Sequence, residues 1–237
     1  MDSDPKPMNE MLRREFKRLH YPIEVILVCV RWYVAYPLSL RHLEEMMAER
    51  GVVVDHSTIH RWAIKMLPAL AAICRRRKQP IGTSWRMGEP YSKVAGQWKY
   101  LYRAVDKTGN TVDFLLRAKR DRTAARAFFE RAIGLHDKPE KIVIDKSGSN
   151  TAAIVSIQAD SALTIVPRQS KYLNNIVERD HRAIKRVTRP MLGFKTFRCD
   201  RIIVAGIETM HRIRTGQLAD IKDQTSSAAS QVYALAL

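Results

Sequence analysis

The apolar run Ile142-Val143-Ile144 ends in Asp145, a carboxylate placed where a buried strand would deliver it to solvent. Glu178 follows with 32 residues between, inside a segment over about 173–188 that reads as a helix. Arg182 and Lys185 lie four and seven residues beyond Glu178, on the same face of that helix. Carboxylates at a strand end and on a nearby helix can hold two divalent cations. One activates the attacking oxygen of a phosphoryl transfer and the other steadies the leaving oxygen. Magnesium takes hard oxygen ligands, so carboxylates suit it better than Cys or His. Arg182 and Lys185 are then placed to grip a phosphate. Taken singly, Asp145 is equally a turn residue after a strand, and Glu178 an exposed helix carboxylate. The elements around them decide.

From about Ser84 the apolar period shortens, and 85–94, 97–105 and 110–117 read as three strands. Turns at Ala95-Gly96 and Asp106-Lys107-Thr108-Gly109 make them an antiparallel meander. A helix over 121–133 follows, with Asp121 as cap and Gly134 as stop. Next come the strand 142–144, a helix capped by Ser149 or Asn150 through about Gln158, and a weak strand over 163–166. The helix carrying Glu178 completes the series. Three strands, helix, strand, helix, strand, helix is the order of a ribonuclease-H-like fold, a mixed sheet flanked by helices. On a basic chain, carboxylates in that order favour a nuclease or transposase site.

Ahead of the strands, 23–36 is an apolar helix stopped by Pro37. Ser39 caps a second helix over 40–50, which Gly51 ends. A third runs over about 56–66, capped by Asp55 or Ser57, with Pro68 beginning its exit. Three short helices with a tight link before the last resemble a helix-turn-helix. Ile59, Trp62 and Ala63 then face the core, which leaves Ser57, Thr58, His60, Arg61 and Lys65 for a DNA groove. A plain helical subdomain is the alternative. His56 and His60 sit one turn apart without an acidic third ligand, so zinc is not expected.

The chain has 237 residues and a net charge of +17, shared as +5, +7 and +5 over 1–80, 81–177 and 178–237. Charge spread in this way fits a polyanion partner, of which nucleic acid is the commonest. With 46% apolar and 27% charged residues the sequence excludes a disordered chain. No run approaches the roughly 18–20 apolar residues of a membrane-spanning helix, and no secretory signal is expected. Cys29, Cys74 and Cys199 are odd in number and lack CxxC spacing, so neither a disulfide framework nor a zinc cluster is indicated. A reducing, cytoplasmic location is expected.

Four segments are more specific. Asp55-His56-Ser57-Thr58-Ile59-His60-Arg61-Trp62, Tyr100-Leu101-Tyr102-Arg103-Ala104-Val105-Asp106, Asn174-Asn175-Ile176-Val177-Glu178-Arg179-Asp180-His181 and Leu192-Gly193-Phe194-Lys195 resemble bacterial insertion-sequence transposases of the IS-six group. The resemblance runs from about residue 20 to the C-terminus. It implies a helix-turn-helix that recognises terminal inverted repeats, followed by a retroviral-integrase-type core with an Asp, Asp, Glu triad. By the same resemblance Asp145 is the second acid, Glu178 the third, and Lys185 the basic residue that often follows. Mg2+ or Mn2+ as two-metal cofactor, terminal and target DNA as partners, and a homo-oligomer are implied with it.

One departure matters. Where the family carries its first Asp, in a stretch like Trp-Arg-x-Asp-Glu-Thr-Tyr, this chain reads Trp85-Arg86-Met87-Gly88-Glu89-Pro90-Tyr91. Gly88 cannot ligate a metal, and Gly88 and Pro90 both weaken a strand. Alternation points Glu89 to the opposite face, so a register slip at Pro90 would be needed to bring it round. Asp106 and Asp113 read as hairpin and strand-surface residues. The expected architecture is an α/β chain with a helix-turn-helix domain over 1–74, a basic linker over 75–83, a ribonuclease-H-like core over 84–216 that includes a last helix, and a loosely ordered tail over 217–237. The expected function is a transposase impaired at Gly88. The alternative is a non-catalytic DNA-binding protein that occupies element ends and inhibits an intact transposase.

Overall fold

A computed structural model describes residues 20–77, 79–136, 138–145, 148–161, 164–170, 175–218 and 227–234. The chain divides into two compact units. One holds residues up to Gln79 with Arg186–Leu192 and everything from Phe197; the other holds Pro80–Lys185 with Gly193–Thr196.

The first unit is helical. α1 (Ile23–Ala35) buries Ile26, Leu27, Val30 and Val34, a 3–4 spacing that gives one apolar stripe. α2 (Leu40–Ala48) opens on Ser39, whose hydroxyl accepts from His42 N while the His42 ring accepts from Ser39 N, a reciprocal cap. α3 (His56–Arg76) opens on Asp55, which accepts from Ser57 N and Thr58 N. Those bonds, with the Ser57 and Thr58 hydroxyls, hold the Asp55 carboxyl below the usual carboxylate range. Pro68 does not end α3: the helix continues for two turns beyond it. A proline in a helix interior costs about 3 kcal/mol. Burial of Leu67, Leu70, Ile73 and Cys74 offsets it. So the basic run 75–77, expected in a linker, forms the last turn of α3 and its cap.

α7 (Phe197–Arg214) was expected in the core, yet it belongs to this helical unit and packs on α1 and α3. At their closest approach a Cβ on Gly206 would lie 2.7 Å from Leu67 Cδ1, so the two helices meet through a glycine. Within the end expected as a loose tail, described residues form a helix. α8 (Ala228–Ala234) buries Val232, and Arg31 Nε donates to Tyr233 Oη at 3.1 Å.

The second unit is built on a mixed sheet. β1 (Ser84–Gly88) and β2 (Tyr91–Val94) lie along one edge of β3 (Gln97–Asp106), and β4 (Thr111–Arg117) lies along the other, all antiparallel. β5 (Lys141–Ile144) pairs parallel with β1, and β6 (Val166–Gln169) parallel with β5. This meander followed by parallel strands is the mixed sheet the element order predicts. The first expected strand is interrupted at Glu89-Pro90, where a residue without an N–H cannot complete the ladder. β6 begins three residues later than expected and tolerates Pro167 because it is an edge strand. α4 (Arg122–Leu135) has Asp121 as cap but runs through Gly134. α5 (Gly148–Ser161) and α6 (Asn175–Thr188) complete the order. The core gathers Trp85, Met87, Tyr102, Phe128, Phe129, Ile142, Ile144 and Ile154 between sheet and helices.

Asp106 ties the β3–β4 turn to the start of β1. Its carboxylate, 2% exposed, accepts from Gly82 N at 3.1 Å, Thr108 N and Asn110 N at 2.9 Å, and Thr108 Oγ1 at 2.6 Å. Burial raises its pKa, but these donors together outweigh burial and hold it below the ordinary value. The folded value lies below the unfolded one, so the stabilisation is complete above the unfolded pKa of about 3.9 and is lost as pH falls through the folded value. Asp106→Ala is expected to cost about 2–3 kcal/mol at pH 7 in urea unfolding. That penalty shrinks below about pH 4; the same penalty at pH 3 would contradict the assignment.

Candidate active site

Asp145 stands one residue past β5, where the strand's buried run gives out. Gly88 ends β1, and Glu89 follows it. The pairing does not slip at Pro90: Gly88 faces Arg103 and Tyr91 faces Tyr100, an equal advance on both strands. The register slip considered for Glu89 therefore does not occur. Glu89 nonetheless meets Asp145's partners. Alternation gives it the face of Trp85 and Met87, and the parallel β1–β5 register, with Trp85 opposite Ile142 and Arg86 opposite Val143, sets the two strand ends side by side.

The joining groups are Arg120 and Asn150. Arg120 Nε pairs with Glu89 Oε2, and Arg120 Nη2 reaches Asp145 Oδ2 at 3.0 Å. Asn150 Nδ2 donates to Glu89 Oε1 at 2.6 Å and to Asp145 Oδ1 at 3.3 Å. The Glu89 side chain is 4% exposed, while that of Asp145 is half-open. Burial pushes the Glu89 carboxyl up and Asp145 adds to this; the Asn150 bond and the Arg120 charge oppose it, and the balance stays upward. Asn150 was expected as a possible helix cap. It lies inside the first turn of α5, 1% exposed, with its amide turned toward the carboxylates.

Arg120 had no signal in the sequence beyond one more cation after β4. Only the fold brings it between two acids. Asp113 is not a strand-surface residue: it is buried and pairs with Arg131 Nε at 3.1 Å. Glu178 is carried by α6, and its side chain lies outside the described residues. Arg182 and Lys185 on the same helix are exposed. In the first unit Ser57, Arg61 and Lys65 are exposed and Thr58 and His60 half-buried, while Ile59, Trp62 and Ala63 are buried as expected. An acidic neighbour to His56 does exist: Glu44 Oε2 lies 3.0 Å from its Nδ1.

The oxygen donors suit a hard divalent cation. Two carboxylates already converge on one positive group, and the buried Asn150 Oδ1 has no hydrogen-bond partner among the described residues. Asp145 and Glu89 therefore fit one cation at the place the guanidinium takes, and Gly88 adds no donor. Among the described residues no cluster of three His, Cys, Asp or Glu side chains forms.

A family model described as a DDE domain matches residues 82–217. The transposase for insertion sequence-like element IS431mec of Staphylococcus aureus (strain N315) is 37% identical over 202 residues, 84% of this chain and 88% of that protein. The transposase for insertion sequence element IS257 in transposon Tn4003, also from Staphylococcus aureus, matches to the same extent. Among solved structures, the HTLV-2 integrase catalytic core domain in complex with magnesium (trimeric form) has a TM-score of 0.45 at 15% identity, covering 66% of this chain and 99% of that one. With a family model covering more than half its length, and relatives this similar along most of it, the chain belongs to the DDE-type transposases of bacterial insertion sequences, the IS-six group.

Proposed function

We propose that this chain binds the terminal inverted repeats of its element and target DNA but cleaves and transfers strands poorly. Recognition falls to α2 and α3 acting as a helix-turn-helix, with Ser57, Thr58, His60, Arg61 and Lys65 toward the duplex. Asp145 and Glu178 are the surviving acids for Mg2+ or Mn2+, with Lys185 and Arg182 holding phosphate beside them. A bound divalent ion would stabilise charge on the attacking and leaving oxygens. A homo-oligomer in the cytoplasm, pairing two element ends, fits this reading; among the described residues no helix is long and apolar enough to cross a membrane.

The observation that carries the proposal is the Arg120 bridge. With Gly88 at the first acid position, one guanidinium bridges Asp145 and Glu89. The test is purified protein with end-containing duplex and Mg2+, beside Gly88→Asp. Binding with little cleavage by the native chain is expected; cleavage equal to the variant's overturns the impairment. Binding itself is checked separately. Arg61→Ala with Lys65→Ala should flatten the slope of log K against log salt by about 2, one for each phosphate no longer neutralised. An unchanged slope removes α3 from the DNA.

The same observation favours a second reading, a non-catalytic occupant of element ends that inhibits an intact transposase through mixed oligomers. Inhibition that persists in Asp145→Asn would support it.

A further inference from the structure

The β2–β3 hairpin carries two aromatic rings, Tyr91 and Trp98, that the core leaves exposed, beside Tyr100, which packs half-buried against the core. Directly opposed residues share a face of the sheet: Tyr91 with Tyr100, Lys93 with Trp98, and Tyr100 in turn with Arg117 on β4. Two residues further along β3 the same face presents Tyr102, which is buried and stacks on Phe128 of α4 at 6.1 Å between centroids. One apolar face thus runs out of the core and past the cover of α4, where Tyr91 is 48% and Trp98 60% exposed. The Tyr91 ring meets Trp98 at 6.1 Å and Tyr100 at 5.6 Å, edge to face in both cases.

Cations border these rings. Lys93 Nζ sits 5.7 Å from the Trp98 centroid. Arg117 Nε is buried without a hydrogen-bond partner among the described residues. The hairpin is also held in place. Ala95 and Gly96 both take positive φ, the turn that two-residue hairpins need. Phe194 N donates to Lys93 O at 2.9 Å, and Ala95 N to Phe194 O at 2.8 Å. Gly193 makes that approach possible, since its φ is +92° and a Cβ there would lie 3.1 Å from Lys93 O. Only Pro90 separates Tyr91 from Glu89 of the acidic cluster.

Exposed rings on a fixed strand pair, bordered by cations, are what unpaired bases use: a π-face to stack on and positive charge for the phosphates. A closed duplex keeps its bases stacked inside and cannot use the rings. A second copy docked through this face about a two-fold axis would set one basic patch against another, on a chain of net charge +17. We propose that Tyr91, Trp98 and Tyr100, with Lys93 and Arg117, form a stacking platform for unpaired DNA bases beside Asp145. This rests on the reading of DNA as substrate, and it adds a preference for single-stranded or frayed ends.

The test uses the full chain with a single-stranded oligothymidine and with a blunt duplex of equal length, followed by tryptophan fluorescence and by anisotropy of the labelled DNA. Oligothymidine should quench the emission. Trp98→Ala should weaken its binding roughly 5- to 100-fold while blunt-duplex affinity moves less than about twofold, and Trp98→Phe should restore most of the loss. Equal losses on both DNAs, or unchanged oligothymidine binding, overturn the platform. So does a Trp98→Ala variant that alters only the sedimentation mass, which assigns the face to an interface between copies. A native chain that binds the duplex but is not quenched by oligothymidine removes the platform alone. One that binds neither DNA removes the DNA reading with it.

Discussion

Gly88→Asp is expected to raise Mg2+-dependent cleavage of end-containing DNA by about 100-fold or more. Loss of groups that merely orient metal ligands costs 10–100-fold, and a ligand is worth at least as much. The backbone does not resist the change: Gly88 lies in β1 and is not among the residues with positive φ, so an Asp there carries no left-handed strain. The measurement is single-turnover nicking of a labelled end at fixed Mg2+, with Gly88→Asn as the size control. Equal rates for Asp and Asn would show that the carboxylate is not what the native chain lacks. A native rate already matching Gly88→Asp would show that Glu89 serves in its place.

Arg120→Ala should turn a cluster bridged by its own cation into one that needs a metal. It leaves a buried Glu89 beside Asp145 with no positive partner from Arg120. Breaking a buried pair costs roughly 3–5 kcal/mol, and the part-exposure of Arg120 and Asp145 lowers that to about 2–3 kcal/mol, or roughly 4–12 °C in Tm. Mg2+ or Mn2+ at roughly 10–100 times its Kd would then return about 1.4–2.7 kcal/mol by mass action. The native chain should show a smaller ion dependence, because the guanidinium already bridges Asp145 and Glu89. A variant that melts like the native chain in chelator, and does not respond to Mg2+, would contradict the account. Thermal melts with and without the ion decide it without any activity assay.

Much of the fold was legible because local chemistry and tertiary packing agree. Ser39 and Asp55 announce helix starts through side-chain oxygens that satisfy free N–H groups. Ala95-Gly96 marks its turn through backbone freedom. Strand alternation set Glu89 on the face opposite Gly88, and it stays there with the buried Trp85 and Met87. Boundaries failed where packing overrode local preference. Pro68 is a breaker in isolation, yet α3 continues because apolar residues on each side of it are buried, while α4 passes Gly134 by one residue, the exposed Leu135. The position of α7 was misread for a related reason: sequence order put it after the core, while its apolar face belongs to α1 and α3.

The sequence by itself determined that position 88 offers no side-chain oxygen, since Gly88 has no side chain. It also determined the charge for a polyanion, the order of the elements and the family resemblance, since these are carried by residue type and spacing. Only the tertiary structure decided what stands in the gap. Arg120, Glu89, Asp145 and Asn150 come from four separate segments, and no periodicity links them. They meet because a parallel β1–β5 pairing brings two strand ends side by side, with α5 starting just beyond. Desolvation at those ends then favours a carboxylate pair that shares a fixed cation over one left bare.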